Sequence, residues 1–169
     1  LPLVVLAARL LWDKGIGEFV EAARTLLARG ITARFVIVGD VDVGNRASIG
    51  PGTLSNWRNE GAVELWGFRA DIPEILADAS IACLPSYREG LPKFLLEAMA
   101  SGLACVTTDV PGCREAVGDG DNGLLVPARD AKALADALEH LLLNPELRNR
   151  MGQRGRQRVE REFAANLVI

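Results

Sequence analysis

Two cations near the start of the chain and two carboxylates near its middle are the residues best suited to chemistry. Arg9 and Lys14 follow an apolar run, with Gly15 next and a helical pattern opening at about Ile16. Two positive side chains beside the free amides of a helix N-terminus form a cradle for a diphosphate, because their charge adds to the partial positive charge of the helix end. Two solvated cations on a surface loop would leave the same letters. Further on, the segment PSYREGLPKFLLEAMASG, Pro85 to Gly102, carries Glu89 and Glu97 eight positions apart. Gly90 lets the backbone approach a ligand closely. Pro92 is suited to start a helix, so the amides of Gly90 and Leu91 are free to donate to a phosphate or a sugar hydroxyl.

Glu97 stands in a helical stretch whose other members, Phe94, Leu95, Leu96, Ala98, Met99 and Ala100, are apolar nearly all round, the pattern of a buried helix. A carboxylate there is costly unless paired or hydrogen-bonded. A ribose diol would satisfy it, since an ionised carboxylate accepts from two neighbouring hydroxyls at once; a salt bridge to Arg9, Lys14 or Arg88 would do so as well. Glu89 lies just before the helix and faces the same cleft from its other end. Paired carboxylates can divide acid and base roles, but a loop residue and a mid-helix residue need not converge on one atom, so separate roles are preferred.

These residues need a frame, and the apolar pattern supplies one. Leu3 to Ala8 is a continuous apolar run of the kind a strand buried on both faces shows, and Ile16 to Ala28 carries helical spacing up to a cap at Gly30. Phe35 to Val38 is a second buried strand ending in Gly39, followed by a long loop from Asp40 to about Gly50 and a helix from Pro51 to Gly61. The alternation continues with strands at Val63 to Trp66, Ile81 to Leu84 and Ala104 to Thr107, helices at Ile72 to Ala79 and Pro92 to Ser101, a short strand at Gly123 to Val126, and helices at Ala131 to Leu143 and Pro145 to Phe163. Such alternation predicts one α/β domain spanning residues 1–169, a doubly wound parallel sheet with helices on both faces. Ligands of such sheets bind in the loops beyond the carboxyl ends of the strands, where Arg9, Lys14, Glu89 and Gly90 stand.

Bulk properties exclude several classes. The chain has 169 residues, 49% hydrophobic and 24% charged, which is one globular domain with a real core. A formal charge of −3 gives no general attraction to nucleic acid. Cys83, Cys105 and Cys113 are odd in number, form no C-x-x-C pair and stand away from the only histidine, His140, which argues against a disulfide scaffold and a metal site. Cys83 and Cys105 sit in apolar runs and read as small core residues. No run has the length of a membrane span and no secretory leader opens the chain, so it reads as soluble and cytoplasmic. Its opening, LPLVVLAARL, reads as that of an excised domain. The arginine-rich segment Leu147 to Glu162 is either a solvated helix interleaved with glutamates or a face for anionic lipid, the latter placing the chain at the cytoplasmic side of an inner membrane.

The spacing E-G-L-P-x4-E from Glu89 to Glu97 resembles the E-x7-E signature of the large group of retaining glycosyltransferases with the GT-B fold, the group-1 or GT4 type. AARLLWDKG is similar to that family's G-R-L-x-x-x-K-G element, with Ala8 in place of the usual glycine. FVIVGD, WGFRADIPEILADASIACLPSYREG and VTTDVPGCREAVGDGDNGLLVPARD resemble its remaining elements in the right order, so the resemblance covers essentially the whole chain. It implies the Rossmann-like C-terminal half of a GT-B enzyme, binding a nucleotide-sugar donor, with UDP as the expected carrier. Arg9 and Lys14 would then hold the diphosphate and Glu97 the ribose. Glu89 would act as the catalytic carboxylate on the transferred sugar, assisted by the amides of Gly90 and Leu91, and Gly39 and Phe68 would border the nucleobase.

The resemblance further implies catalysis with retained anomeric configuration and with neither metal nor other cofactor. The acceptor, plausibly a lipid-linked glycan of a bacterial surface polysaccharide, would be read by an N-terminal domain absent from this chain, so the fragment alone is expected to be inactive. His140 belongs to the wrong region to stand in for the histidine that the first domain usually supplies, and reads as a surface residue. Competing readings are an epimerase-like GT-B relative, against which the E-x7-E spacing argues, and a non-catalytic nucleotide-binding module. A dinucleotide site would need a G-x-G-x-x-G between Ala8 and Gly15, and a phosphate-accepting receiver domain would need an acidic cluster where Ala7, Ala8 and Arg9 stand.

Overall fold

A computed structural model describes residues 1–163. Its strands are β1 (Leu3–Ala7), β2 (Arg34–Val38), β3 (Glu64–Gly67), β4 (Ile81–Leu84), β5 (Ala104–Thr108) and β6 (Gly123–Val126). All pairings are parallel, in the order β3-β2-β1-β4-β5-β6. The helices are α1 (Ile16–Ala28), α2 (Pro51–Glu60), α3 (Ile72–Ala77), α4 (Lys93–Ala100), α5 (Pro111–Ala116), α6 (Ala131–Leu142) and α7 (Pro145–Arg158). This is the expected doubly wound sheet.

Successive residues of a strand point to opposite faces, and the core divides accordingly. Val4, Leu6, Phe35 and Ile37 pack with Phe19 of α1, Trp57 of α2 and Leu138 of α6. Val5, Val36, Ala82 and Cys105 pack with Leu76 of α3, Leu95 of α4 and Ala116 of α5. Both faces are covered, which is why the strands read as unbroken apolar runs rather than alternating ones. All three cysteines are buried free thiols, and burial pushes the Cys105 thiol up to about 12, so they serve as packing groups. His140 is exposed on α6.

Four local differences from the sequence pattern stand out. The sequence pattern gives no helix between Thr107 and Gly123, yet Pro111 opens the short helix α5, because proline's missing N–H is harmless in the first helical turn. Pro92 is the N-cap of α4 rather than its first residue, with extended backbone at φ −75° and ψ 109°. The helix expected over Pro145 to Phe163 stops at Arg158 and passes into a wider π-type turn, Val159–Phe163. Trp12–Lys14 forms a 3₁₀ turn just before α1.

The strand order also locates the cleft. From β1 the chain winds outward through β2 to β3, then returns to add β4 on the other side of β1. The crossovers therefore part between β1 and β4, leaving a crevice beyond the carboxyl ends of those two strands. The segments that follow them carry Arg9 with Lys14, and Glu89 with Gly90.

Candidate functional site

The two loops are held together by close backbone packing. Gly15 adopts a left-handed φ of 74°, and a Cβ there would overlap the carbonyl oxygen of Pro85, so the β1–α1 loop can lie against the β4–α4 loop only with glycine at this position. The Tyr87 amide donates to the Asp13 carbonyl at 2.9 Å. From the other side, Gly112 of α5 packs on the backbone of Glu89 and Gly90, where a Cβ would overlap the Gly90 carbonyl oxygen. Beneath, the buried hydroxyls of Thr107 and Thr108 donate to the carbonyls of Leu84 and Ser86. Segment 85–90 is thus fixed on three sides.

A cleft of about 470 Å³ opens above it, lined by Arg9, Leu11, Asp13, Lys14, Asn45, Arg88, Glu89 and Gly90. The Arg9 guanidinium donates to Asp42 Oδ2 at 2.9 Å, an oxygen that also accepts from Asn45 at 3.1 Å. Lys14 Nζ donates to Glu89 Oε2 at 2.8 Å, and both side chains are largely buried, 20% and 11% exposed. Ser86 Oγ donates to the same Glu89 oxygen at 2.7 Å. Arg88 is 86% exposed and reaches Asp13 only at 3.7 Å. Each cation of the cleft therefore faces a carboxylate, and an anionic ligand taking up Arg9 and Lys14 would replace Asp42 and Glu89 as their partners.

Tyr87 flanks the cleft. Its hydroxyl donates to Glu18 Oε2 at 2.7 Å, and Arg129 stacks over its ring at 4.5 Å from the centroid. Burial, reinforced by the hydrogen bond to Glu18 and that carboxylate's negative charge, pushes the phenol up to about 12. Arg129 is the one non-glycine residue with a left-handed φ, 63°, among those described, a conformation that costs free energy and persists only where surroundings enforce it.

Of the residues singled out in the sequence, Arg9, Lys14, Glu89 and Gly90 come together in this cleft. Nothing in the protein demands glycine at position 90, since a Cβ there would have no atom within 4 Å; the vacant space is that of the cleft. Among the described residues the amides of Gly90 and Leu91 have no acceptor. Leu91 lies beside the cleft and is 38% exposed. Gly39 and Phe68 line a neighbouring cavity of about 230 Å³ with Ala7, Ala8, Val38 and Arg69, and Arg9 borders both spaces.

Glu97 differs from expectation. It is half-buried rather than buried, although its neighbours Phe94, Leu95, Leu96, Ala98 and Met99 are buried, and it lines neither cavity. Helix α4 turns Glu97 partly outward, as it does Lys93 and Ala100, so the carboxylate keeps contact with water. Nor is it bridged to Arg9, Lys14 or Arg88, whose partners are Asp42, Glu89 and Asp13. Sequence reasoning missed Asp42 and Asn45, which reach the cleft from the β2–α2 loop, and Ser86. The only sequence signal for the first two was the unusual length of that loop.

The arginines of α7 mostly turn back onto the protein. Arg148 donates to the carbonyls of Leu141 and Leu142, Arg154 to that of Asp121 and Arg158 to that of Glu115. Arg156 pairs with Glu160 at 3.5 Å. Only Arg150 in this helix has no such partner among the described residues. No described helix is long and apolar enough to cross a membrane.

The family model described as glycosyl transferases group 1 matches residues 1–158. The N,N'-diacetylbacillosaminyl-diphospho-undecaprenol alpha-1,3-N-acetylgalactosaminyltransferase of Campylobacter jejuni is 39% identical over 157 residues, covering 92% of this chain and 39% of its own length. The capsular polysaccharide biosynthesis glycosyltransferase CapM of Staphylococcus aureus is 28% identical over 160 residues, covering 95% of this chain and 42% of its own length. The chain thus spans about two fifths of the length of these relatives. HepE of Anabaena, solved in complex with UDP and glucose, superposes with a TM-score of 0.85 at 22% identity, over 95% of this chain and 44% of its own, a likeness of fold.

Proposed function

The chain belongs to the glycosyl transferases of group 1, and from that membership we propose that it is the donor-binding domain of a retaining enzyme that moves a sugar from UDP to an acceptor. The observation that carries this reading is the convergence of Arg9, Lys14, Glu89 and Gly90 on one cleft at the β1–β4 switch point. In transfer, the bond between the anomeric carbon and the phosphate oxygen breaks with its electron pair leaving on the diphosphate, and the acceptor oxygen bonds to the same face as its hydroxyl proton passes to the departing phosphate oxygen. Arg9 and Lys14 stabilise the departing charge where it develops, a task that needs no metal in this reading. Glu89 and the free amides of Gly90 and Leu91 contact the transferred sugar. Glu97 receives the ribose, its carboxylate accepting from the two neighbouring hydroxyls. The base lies along Gly39 and Phe68.

Further support comes from the rim. Trp12, Val43, Phe68 and Leu91, which follow β1, β2, β3 and β4, are 40%, 92%, 75% and 38% exposed. Apolar groups gathered around a polar cleft favour a covering partner, here a second domain that binds the acceptor and without which the chain is inactive. A lipid-linked acceptor follows the Campylobacter relative's name, and we place its handling at the cytoplasmic face of a membrane. The inward contacts of α7 leave Arg150 as the chief candidate for contact with anionic lipid.

Calorimetric titration of the chain with UDP, GDP, ADP and NAD in EDTA tests the reading. UDP should bind selectively. Glu97→Ala should weaken it at least about tenfold, the scale of a charge-assisted hydrogen-bond pair, while Glu89→Ala spares it and abolishes transfer in an enzyme containing this domain. Binding of NAD alone would overturn the proposal, and equal losses from the two variants would overturn the division of labour.

A further inference from the structure

The two oxygens of Glu89 have unequal surroundings. Oε2 accepts from Lys14 Nζ at 2.8 Å and from Ser86 Oγ at 2.7 Å. Oε1 has no hydrogen-bond partner among the described residues and is not sealed away from the cleft. Ser86 itself is wholly inaccessible, and its carbonyl is held by the buried Thr108 hydroxyl. Its own hydroxyl therefore starts from a fixed point, within a segment that Gly15 and Gly112 pack from either side.

Resting on the donor-binding reading, we propose that Ser86 is a positioning residue for Glu89, clamping Oε2 to the loop so that Oε1 alone faces the transferred sugar. Lys14 cannot be the lasting clamp, because in that reading its ammonium moves to the diphosphate when the donor arrives. Ser86 has no charge to be drawn away. Its hydroxyl donates one hydrogen bond, and the Glu89 carboxylate accepts it; a hydrogen bond to an ionised acceptor is the stronger kind and is short, as observed. Neither competing phosphate nor solvent can reach so buried a donor directly. The carboxylate thus keeps one orientation before and after Lys14 leaves it, which is the preorganisation that a group acting on a developing charge requires.

The test is NMR of the chain saturated with UDP, reading the side-chain scalar couplings of Glu89. A single Glu89 rotamer is expected in the unsubstituted chain and in Ser86→Thr, which keeps the hydroxyl, with the pattern lost to rotamer averaging in Ser86→Ala. A single rotamer surviving in UDP-bound Ser86→Ala overturns the role of Ser86 and leaves the donor site standing. Failure of UDP to perturb the Arg9 and Lys14 signals overturns both. A measurement free of any substitution accompanies these. A slowly exchanging Ser86 hydroxyl proton should show a cross-peak to the Glu89 methylenes that persists when UDP is added, and disappearance of that cross-peak on binding overturns the proposal.

Discussion

The chemistry of the cleft is set by single side chains, and Tyr87 reports on it most directly. It is the only tyrosine in the chain, so an absorbance titration of the phenolate reads this residue alone. Its hydroxyl donates to Glu18 and its ring lies under Arg129, with burial the largest cause of its upward shift to about 12. The folded phenol holds its proton above the value of an unfolded tyrosine, about 10. Its contribution to stability is therefore complete below pH 10 and lost as the pH climbs toward 12. The titration should be centred about two units above that of the urea-unfolded chain, and coincident midpoints would show that Tyr87 is not held by Glu18. At this scale the sequence was partly legible. Arg9, Lys14, Glu89 and Gly90 could be chosen because their types and their places after strands were readable. Glu97 could be chosen for its apolar neighbours, but its half-exposure depends on where α4 meets the sheet. Ser86 gave no signal, since its value lies in burial and in a contact three residues along.

Elements explain how those side chains meet. The alternation of apolar runs and helical spacing fixed five of the six helix-bearing segments before α7 and every strand to within a residue or so at its ends, because a sheet covered on both faces leaves a strong periodic mark. Helix α5 escaped because its first two residues, Pro111 and Gly112, are also turn residues. Yet it is α5 that closes the Glu89 loop from behind. Gly112→Ala should overlap the Gly90 carbonyl and cost about 2 kcal/mol, the scale of overpacking a well-filled site, lowering the melting temperature by about 4–8 °C. Gly90→Ala meets no protein atom and should stay within about 0.5 kcal/mol of the unsubstituted chain. Scanning calorimetry of both variants separates the glycine that packs from the one that leaves room for a ligand; similar melting temperatures would contradict this assignment.

For the molecule as a whole, the strand order gathers the cleft and the exposed apolar residues Trp12, Val43, Phe68 and Leu91 at the carboxyl end of the sheet. The formal charge of the chain is −3, so attraction for an anionic donor must be local. In the proposed function it comes from Arg9 and Lys14, and it is opposed by Asp42 and Glu89, which pair with those cations. The long β2–α2 loop hid this opposition in the sequence, because Asp42 stands 33 residues from the Arg9 it neutralises. Arg9 and Asp42 are 62% and 36% exposed, so their pairing is worth little to the fold, whereas a carboxylate beside a diphosphate repels it at a distance where solvent screens incompletely. Asp42→Asn should therefore leave stability nearly unchanged and tighten UDP binding about threefold at low ionic strength. Raising salt toward 1 M, where the screening length falls to about 3 Å, should weaken UDP binding to both forms and erase most of the difference between them. An advantage of Asp42→Asn that is independent of salt would mean that the loop acts by shape, and no advantage at any salt would remove Asp42 from the competition for Arg9.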